Sequence, residues 1–230
     1  MIEMLNEDCM EAIKTMPDNS VDLIFTDPPY WTLNKWREVG TTTRLGGHKD
    51  EGKRTGWFDT INENELFEFM CECCRILKNN RHACIMVDGQ TLKWVLGYAE
   101  KSGFNYCKPI VWDKVYQGMG YHLRNRHEFI VLLDKGKNRQ PKNLGLSDII
   151  TIPMIKGGYP TEKPVELAKF FIEQYTEENE TVFDGFMGAG TTLIACNQTN
   201  RNGIGIEKNP ETFKIAETRI NENTRQVQLL

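Results

Sequence analysis

Two stretches of this 230-residue chain carry side chains whose types and spacing suit chemistry on a small aromatic ring. The first is Thr26-Asp27-Pro28-Pro29-Tyr30, reached through the apolar run Val21-Asp22-Leu23-Ile24-Phe25. That run reads as a buried strand, and two prolines, which fix φ and lack N–H donors, must end it at Asp27. The result is a rigid extended segment that displays a carboxylate, backbone carbonyls and an aromatic ring at a strand's carboxyl end, where open α/β sheets bind ligands. An exocyclic amino group on a purine or pyrimidine is a poor nucleophile because its lone pair is delocalised into the ring. If the Asp27 carboxylate and the Pro28 carbonyl each accept one of its hydrogens, the lone pair is localised toward an electrophile. Tyr30 is then expected to stack on the ring, and stacking on a base is worth ~1–3 kcal/mol. The plain alternative is a strand followed by a proline turn.

The second stretch is the strand Glu180-Thr181-Val182-Phe183-Asp184 followed by Gly185-Phe186-Met187-Gly188-Ala189-Gly190-Thr191-Thr192, a glycine-rich turn that opens a helix. Such a turn permits close approach of a ligand to free N–H groups. It is not a phosphate loop, because Thr191 stands where Lys would be needed, and Leu193 replaces the last glycine of a dinucleotide fingerprint. A second strand, Gly203-Ile204-Gly205-Ile206, ends in Glu207, an acid placed to grip ribose hydroxyls. A nucleoside whose tail is a zwitterion instead of phosphates fits this set, and S-adenosylmethionine has that shape. A generic βαβ unit is the alternative.

The elements that must position these stretches alternate. Ile2-Glu3-Met4-Leu5 reads as a strand, and a helix follows over about Met10 to Met16. After the Asp27 strand, residues 31–60 lose all periodicity and mix glycines with Lys35, Arg37, Arg44, Lys49, Lys53 and Arg54, as expected of a cover beside a site. Helical spacing returns from Glu63 to Leu77, then a buried strand from Arg81 to Gly89, a helix to about Lys101, and strands at Tyr106–Asp113 and His127–Leu133. Only a loop separates the last two strands, which points to an antiparallel pair. Residues 143–160 read as loop, and Thr161-Glu162-Lys163-Pro164 starts a helix that runs to Tyr175. The reading is a single α/β domain over residues 1–230, with loops expected to contact the substrate at 31–60 and 114–158.

Composition sets limits on function. Seven cysteines, an odd number, and the lack of a leader or a long apolar run point to a reducing, cytoplasmic protein with no membrane role. Cys71, Cys73 and Cys74 lack a second ligand pair for a metal. The net charge of −4 argues against nonspecific coating of nucleic acid, yet Lys114, Arg124, Arg126, Lys135, Lys137, Arg139 and Lys142 face only Glu128 and Asp134 in the same stretch, a cluster able to track phosphates. A solvated loop is the alternative.

Taken together, the two stretches resemble the amino-methyltransferases of DNA, which methylate exocyclic nitrogens of adenine or cytosine. Thr26-Asp27-Pro28-Pro29-Tyr30 resembles their catalytic motif and Asp184 to Thr192 their cofactor loop, while Thr161-Glu162-Lys163-Pro164 resembles the motif that holds the methionine end of the cofactor. The catalytic motif comes first, which is the circularly permuted order of the beta subgroup. The resemblance implies a Rossmann-like, mostly parallel sheet with one reversed strand. It also implies a cofactor site built from Asp8, Asp27, Thr161, Lys163, Asp184, Phe186, Gly188, Gly190, Thr191 and Glu207. DNA is the implied partner, with Arg37, Arg44, Lys53, Arg54, Arg124, Arg126, Lys135, Lys137, Arg139 and Lys142 as contact candidates, and a homodimer is plausible within the subgroup. Members with Asp at the first catalytic position mostly methylate adenine N6, so Asp27 favours adenine, with transfer direct and the base flipped out of its helix. The rivals are N4-cytosine methylation, methylation of a protein glutamine amide, against which the motif order speaks, and a noncatalytic DNA-binding subunit. One departure stands out: Gly185 occupies a position where the family commonly has Pro, which implies a looser turn.

Overall fold

The computed structural model describes residues 1–30, 60–118, 122–137, 140–156 and 162–228. Its elements in chain order are β1 (Ile2–Leu5), α1 (Cys9–Thr15), β2 (Val21–Thr26), α2 (Glu63–Ile76), β3 (Leu77–Val87), α3 (Leu92–Tyr98), β4 (Asn105–Asp113), β5 (His127–Lys135), β6 (Ile149–Thr151), α4 (Val165–Tyr175), β7 (Thr181–Asp184), α5 (Thr191–Gln198), β8 (Asn202–Ile206) and α6 (Pro210–Gln228). The strands form one sheet in the order β1-β8-β7-β2-β3-β5-β4-β6. Only β5 runs against the rest, pairing antiparallel with both β3 and β4. The expected mostly parallel sheet with one reversed strand is therefore present.

Strand β2 is buried along its whole length because both faces of the sheet are covered. Alternation along the strand sends Ile24 to one side and Leu23 and Phe25 to the other. Ile24 joins Ala83, Ile85, Val131 and Leu133 against Ile13 of α1, Leu66, Phe69 and Met70 of α2, and Val95 of α3. Leu23 and Phe25 join Cys84, Met86, Ile130 and Leu132 against Leu167, Phe171 and Ile172 of α4. Helix α2 is started by a reciprocal capping box in which Asn62 accepts from the Asn64 and Glu65 amides and Glu65 accepts from the Asn62 amide.

Three differences from the sequence expectation have physical causes. Strand β3 begins at Leu77, immediately after α2, where Leu77 pairs with Val21 ahead of a shift in register, and residues 78–81 carry no apolar run to announce it. Strand β6, inside the expected loop 143–160, is three residues long and pairs only with β4. Helix α6 was not expected at all: its charged residues outweigh its apolar ones, and it docks through Ala216 and Ile220 onto Leu193 and Ile194 of α5.

The chain order makes the sheet a switch-point fold. From β2 the chain moves outward to β3, and from β7 it moves the other way to β8, so the crevice between β2 and β7 is where ligands bind in such sheets. Leu23 pairs with Val182 and Ile24 with Phe183, which brings the end of β2 and the end of β7 side by side.

Candidate active site

Asp27 leaves the end of β2 and the glycine turn leaves the end of β7, so the two stretches singled out by sequence flank one crevice although they lie far apart in the chain. Asp184 ties them together. Its Oδ1 accepts from the Thr26 hydroxyl at 2.8 Å and the Phe186 amide at 3.1 Å, and its Oδ2 accepts from the Thr192 hydroxyl at 2.6 Å. Burial pushes its pKa up to about 6, against the pull of those three donors. Asp184 is thus a girder of the crevice, joining strand end, turn and helix start.

The turn itself has two glycines in the left-handed region, Gly188 at φ +50° and Gly190 at φ +82°. They serve different purposes. A Cβ on Gly190 would lie 3.0 Å from Ile220 Cδ1 and 3.2 Å from Ala216 Cβ, so this glycine lets α6 pack. A Cβ on Gly188 would meet nothing within 4 Å, so this glycine borders open space. Beside it, the Glu207 carboxylate accepts from the Gly188 amide, and its Oε1 accepts from the Asn209 amide at 2.8 Å. Burial raises the Glu207 pKa while those two amides pull it down. A cradle bordered by a glycine backbone and an oriented carboxylate at the strand end suits a nucleoside.

Gly185 is explained by its neighbours. An added Cβ would stand 2.7 Å from Cys9 Sγ and 3.0 Å from Phe69 Cε2. The turn is not loose there: α1 and α2 fill the space that a proline ring would need.

The Thr161-Glu162-Lys163-Pro164 segment approaches both sides of the crevice. Lys163 Nζ donates to Asp27 Oδ2 and lies 3.6 Å from Glu128 Oε2. Burial opposes the lysine's charge, but Asp27 and Glu128 outweigh it and hold the ammonium above the usual lysine range. The Thr191 hydroxyl donates to the Lys163 carbonyl at 3.2 Å, and Arg219 of α6 donates to both Glu162 Oε1 and the Ala189 carbonyl. Arg219 therefore clamps this segment to the glycine turn. Pro164 is the helix cap residue, one position before α4 begins.

Tyr30 differs from expectation. Its ring is 4% exposed, within the cluster around α2, and its hydroxyl lies 3.4 Å from Asp27 Oδ1. Burial, followed by the charges on Asp27, Asp88 and Glu128, pushes the phenol well above the usual tyrosine range. In this conformation the ring is not an exposed stacking platform, because a bridge between Tyr30 and Ile61 and a 2.8 Å bond from the Ile61 amide to the Pro29 carbonyl hold the segment down. Asp8, expected beside the cofactor, has two partners within the chain: its Oδ1 caps α1 through the Met10 amide at 2.9 Å and its Oδ2 pairs with Lys208 at 3.0 Å. Burial raises the Asp8 pKa, yet Lys208 and the cap bring it below the usual value. Both oxygens are thus engaged, one on the helix cap and one on the residue that follows Glu207.

A family model described as DNA methylase, of the N6/N4 methyltransferase type, matches residues 21–218. The chain belongs to the DNA methylase family. It is a DNA methyltransferase of the N6-adenine/N4-cytosine group. The type II methyltransferase M.HinfI of Haemophilus influenzae is 28% identical over 99% of this chain and 71% of its own length. Among solved structures, the complex of M1.HpyAVI with SAM matches at TM-score 0.71 and 26% identity, covering 95% of this chain and all of that one. The cytosine-N4-specific PvuII DNA methyltransferase matches at TM-score 0.70 and 16% identity over 98% of this chain and 92% of its own, which is a likeness of fold alone.

For a DNA methylase the basic residues matter, and the structure divides them. Arg124 and Arg126 lie in the connection from β4 to β5, at the crevice end of the sheet, where Arg126 pairs with Asp113 at 2.7 Å. Lys135 lies at the opposite end of β5, ~27 Å away at strand rise, with its ammonium on the Asn19 side chain and the Leu77 carbonyl. Lys137 follows it there, its amide bonded to Asn80, and Lys142 pairs with Glu177 below α4. The six described cations of the 114–142 stretch thus do not form one patch: Lys135, Lys137 and Lys142 are removed from the crevice, and Lys114 pairs inward with Glu128 at 2.9 Å. Arg37, Arg44, Lys53, Arg54, Arg139 and Thr161 lie outside the described residues. No helix among the described residues is long and apolar enough to cross a membrane.

Sequence reasoning missed Glu128 and Arg219. Glu128 was counted only as an offset to neighbouring cations, and Arg219 sits on the helix that was not expected. Each has a signal in hindsight: an acid at the start of a buried strand, and an arginine facing the buried side of an otherwise charged helix.

Proposed function

We propose that this DNA methylase transfers a methyl group to N6 of adenine, with Asp27 as the residue that engages the amino group. The observation that carries the reading is the placement of Asp27 across the β2–β7 crevice from the open space at Gly188 and the carboxylate of Glu207. The methyl donor is S-adenosylmethionine, which supplies an electrophilic methyl on a positively charged sulfur. The cradle fits it: Glu207 would hold the ribose hydroxyls, Gly188 would allow the nucleoside to approach the backbone, and the Lys163 segment would face its amino-acid tail.

The remaining work falls to this chain's own residues. The Asp27 carboxylate and the Pro28 carbonyl accept the two amino hydrogens of a flipped base, localising the nitrogen lone pair. As the new N–C bond forms and the sulfur–methyl bond breaks to leave a neutral thioether, the positive charge passes to the nitrogen, and the Asp27 carboxylate stabilises that charge and then receives one of the two protons, which it passes to water. Tyr30 steadies Asp27 through its hydroxyl, and stacking of its ring on the base would follow release of the segment held by Ile61. The acid at the first motif position supports adenine over cytosine. Arg124 and Arg126 remain the candidates for phosphate contact on the crevice side, and the cations of 31–60 remain candidates from the sequence alone.

The test is mass spectrometry of nucleosides from unmethylated genomic DNA treated with the protein and S-adenosylmethionine, with Asp27→Ala alongside. N6-methyladenine from the intact protein alone is the expected result. N4-methylcytosine would reverse the base, and equal product from Asp27→Ala would overturn the role of Asp27.

A further inference from the structure

The catalytic carboxylate does not end at its lysine. Asp27, Lys163, Glu128 and Lys114 form a line of alternating charge across the crevice end of the sheet, with Lys163 in contact with Asp27, 3.6 Å from Glu128, and Glu128 in turn 2.9 Å from Lys114. The four side chains come from four separate segments: the end of β2, the lead into α4, the start of β5 and the end of β4. The two cations are the least exposed members, at 17% for Lys163 and 13% for Lys114. A lysine needed only to neutralise Asp27 has no use for a second carboxylate at 3.6 Å, beyond hydrogen-bond range yet close enough to attract it.

The connection that delivers Lys114 and Glu128 is built with strain. Val115, a β-branched residue, stands at φ +68°, where such side chains are rarely found. Asp113 holds it there by accepting from the Val115 amide at 2.9 Å while taking both a 2.7 Å and a 2.8 Å bond from Arg126. The Lys114 amide donates to the Arg126 carbonyl at 2.9 Å. Glu128 is thereby fixed, with Oε1 on Lys114 and Oε2 turned toward Lys163.

We propose that Glu128 is a positioning residue for methyl transfer: it is a second seat for the Lys163 ammonium, which moves onto it as Asp27 takes the target amino group. The physical need is plain. In the structure Asp27 Oδ2 is taken by Lys163 and Oδ1 faces the Tyr30 hydroxyl. An ammonium kept on Asp27 opposes the positive charge that grows on the attacking nitrogen; the same ammonium drawn to Glu128 leaves the carboxylate free to stabilise it. Lys114 keeps the seat charged and in place. This inference rests on Asp27 as the group that engages the amino nitrogen, and it is independent of which base is methylated.

The experiment uses the full chain, tritiated S-adenosylmethionine and unmethylated genomic DNA, with enzyme in excess so that a single turnover is read. Glu128→Gln is expected to keep a cooperative thermal melt and a calorimetric affinity for S-adenosylmethionine within about twofold, while the single-turnover rate falls roughly ten- to a hundredfold, less than the ~10²–10³-fold lost with a group that touches the reacting atoms. Glu128→Asp, which keeps the charge and shortens the reach, is expected to recover part of that rate. A native rate in Glu128→Gln would overturn the proposal, and so would a rate in Glu128→Asp no higher than that in Glu128→Gln, which would deny the retained charge any part. Nucleoside analysis of the same samples separates the two readings: N4-methylcytosine would refute adenine and leave Glu128 standing, whereas full turnover by Asp27→Ala would remove the basis of both.

Discussion

Gly188 and Gly190 sit two residues apart in one turn, and alanine at each should fail in a different way. Both have positive φ, so alanine at either costs ~1–2 kcal/mol in backbone strain. At Gly190 the new methyl also meets Ile220 at 3.0 Å and Ala216 at 3.2 Å, an overpacking that adds ~1–3 kcal/mol because α6 must shift. At Gly188 nothing lies within 4 Å, so strain is the whole cost to the protein alone. A chain of this size loses ~2–4 °C of melting temperature per kcal/mol. Gly190→Ala is therefore expected to melt roughly 4–20 °C lower and Gly188→Ala roughly 2–8 °C lower. Cofactor affinity should follow the opposite order. If the open space beside Gly188 is the nucleoside cradle, its methyl occupies volume that the ligand needs, and ~1–3 kcal/mol of overpacking raises Kd roughly five- to a hundredfold. Thermal melting without ligand, and calorimetric titration with S-adenosylmethionine well below the melting temperature, measure the two effects separately. Native affinity in a folded Gly188→Ala would refute the assignment of that space to the cofactor.

Three further outcomes are expected. Arg219→Met releases Glu162 and the Ala189 carbonyl together, and should weaken S-adenosylmethionine binding by roughly five- to thirtyfold, as ~1–2 kcal/mol of lost charge-assisted bonds implies, with native affinity counting against the clamp. Because Asp184 titrates near pH 6 when folded instead of at 3.8, the folded chain binds its proton more tightly; the stability that this group contributes is full below about pH 4 and is lost as pH rises to 6, up to ~3 kcal/mol. Urea melts should therefore show wild type losing ground to Asp184→Asn across that window, and parallel curves would contradict it. Tyr30→Phe keeps the ring and removes only the 3.4 Å contact to Asp27, so its single-turnover rate should fall less than that of Tyr30→Ala; equal rates in the two variants would deny the ring a part in holding the base.

The order and type of most elements were legible because each is announced locally. The apolar run from Val21 to Phe25 could only be a buried strand, the two prolines could only end it, and a loop without a helix between β4 and β5 required an antiparallel pair. Strand β6 and helix α6 were not legible for opposite reasons. β6 is too short to show a period, while α6 carries enough charge along its length to hide the narrow stripe that packs on α5. The adjacency of β2 and β7 is a different matter. No local signal in either strand states that they pair, and only the resemblance of both motifs to one family joined the two sites before the sheet order placed them together.

Charge was the least legible property of the site, because a sum along the chain ignores where each side chain goes. Lys114 and Lys135 both belong to the basic stretch that suggested phosphate binding, yet Lys114 turns inward to Glu128 and Lys135 closes the far end of the sheet on the Leu77 carbonyl. Conversely, Glu128 subtracts from that stretch on paper, and in space it stands beside Lys163, which comes from a distant segment to meet Asp27. The reason is the reversal of β5: it returns from the Lys114–Arg126 connection with its first residues at the crevice and its last at the opposite end, so the start of one strand supplies a charge to the site while its end cannot. A phosphate-binding role for cations in this chain therefore has to be argued for the crevice end alone. Of the three cations from the 114–142 stretch described there, Lys114 is engaged with Glu128 and Arg126 with Asp113, so for these two the existing pairing is what DNA must alter, while Arg124 stands exposed beside them.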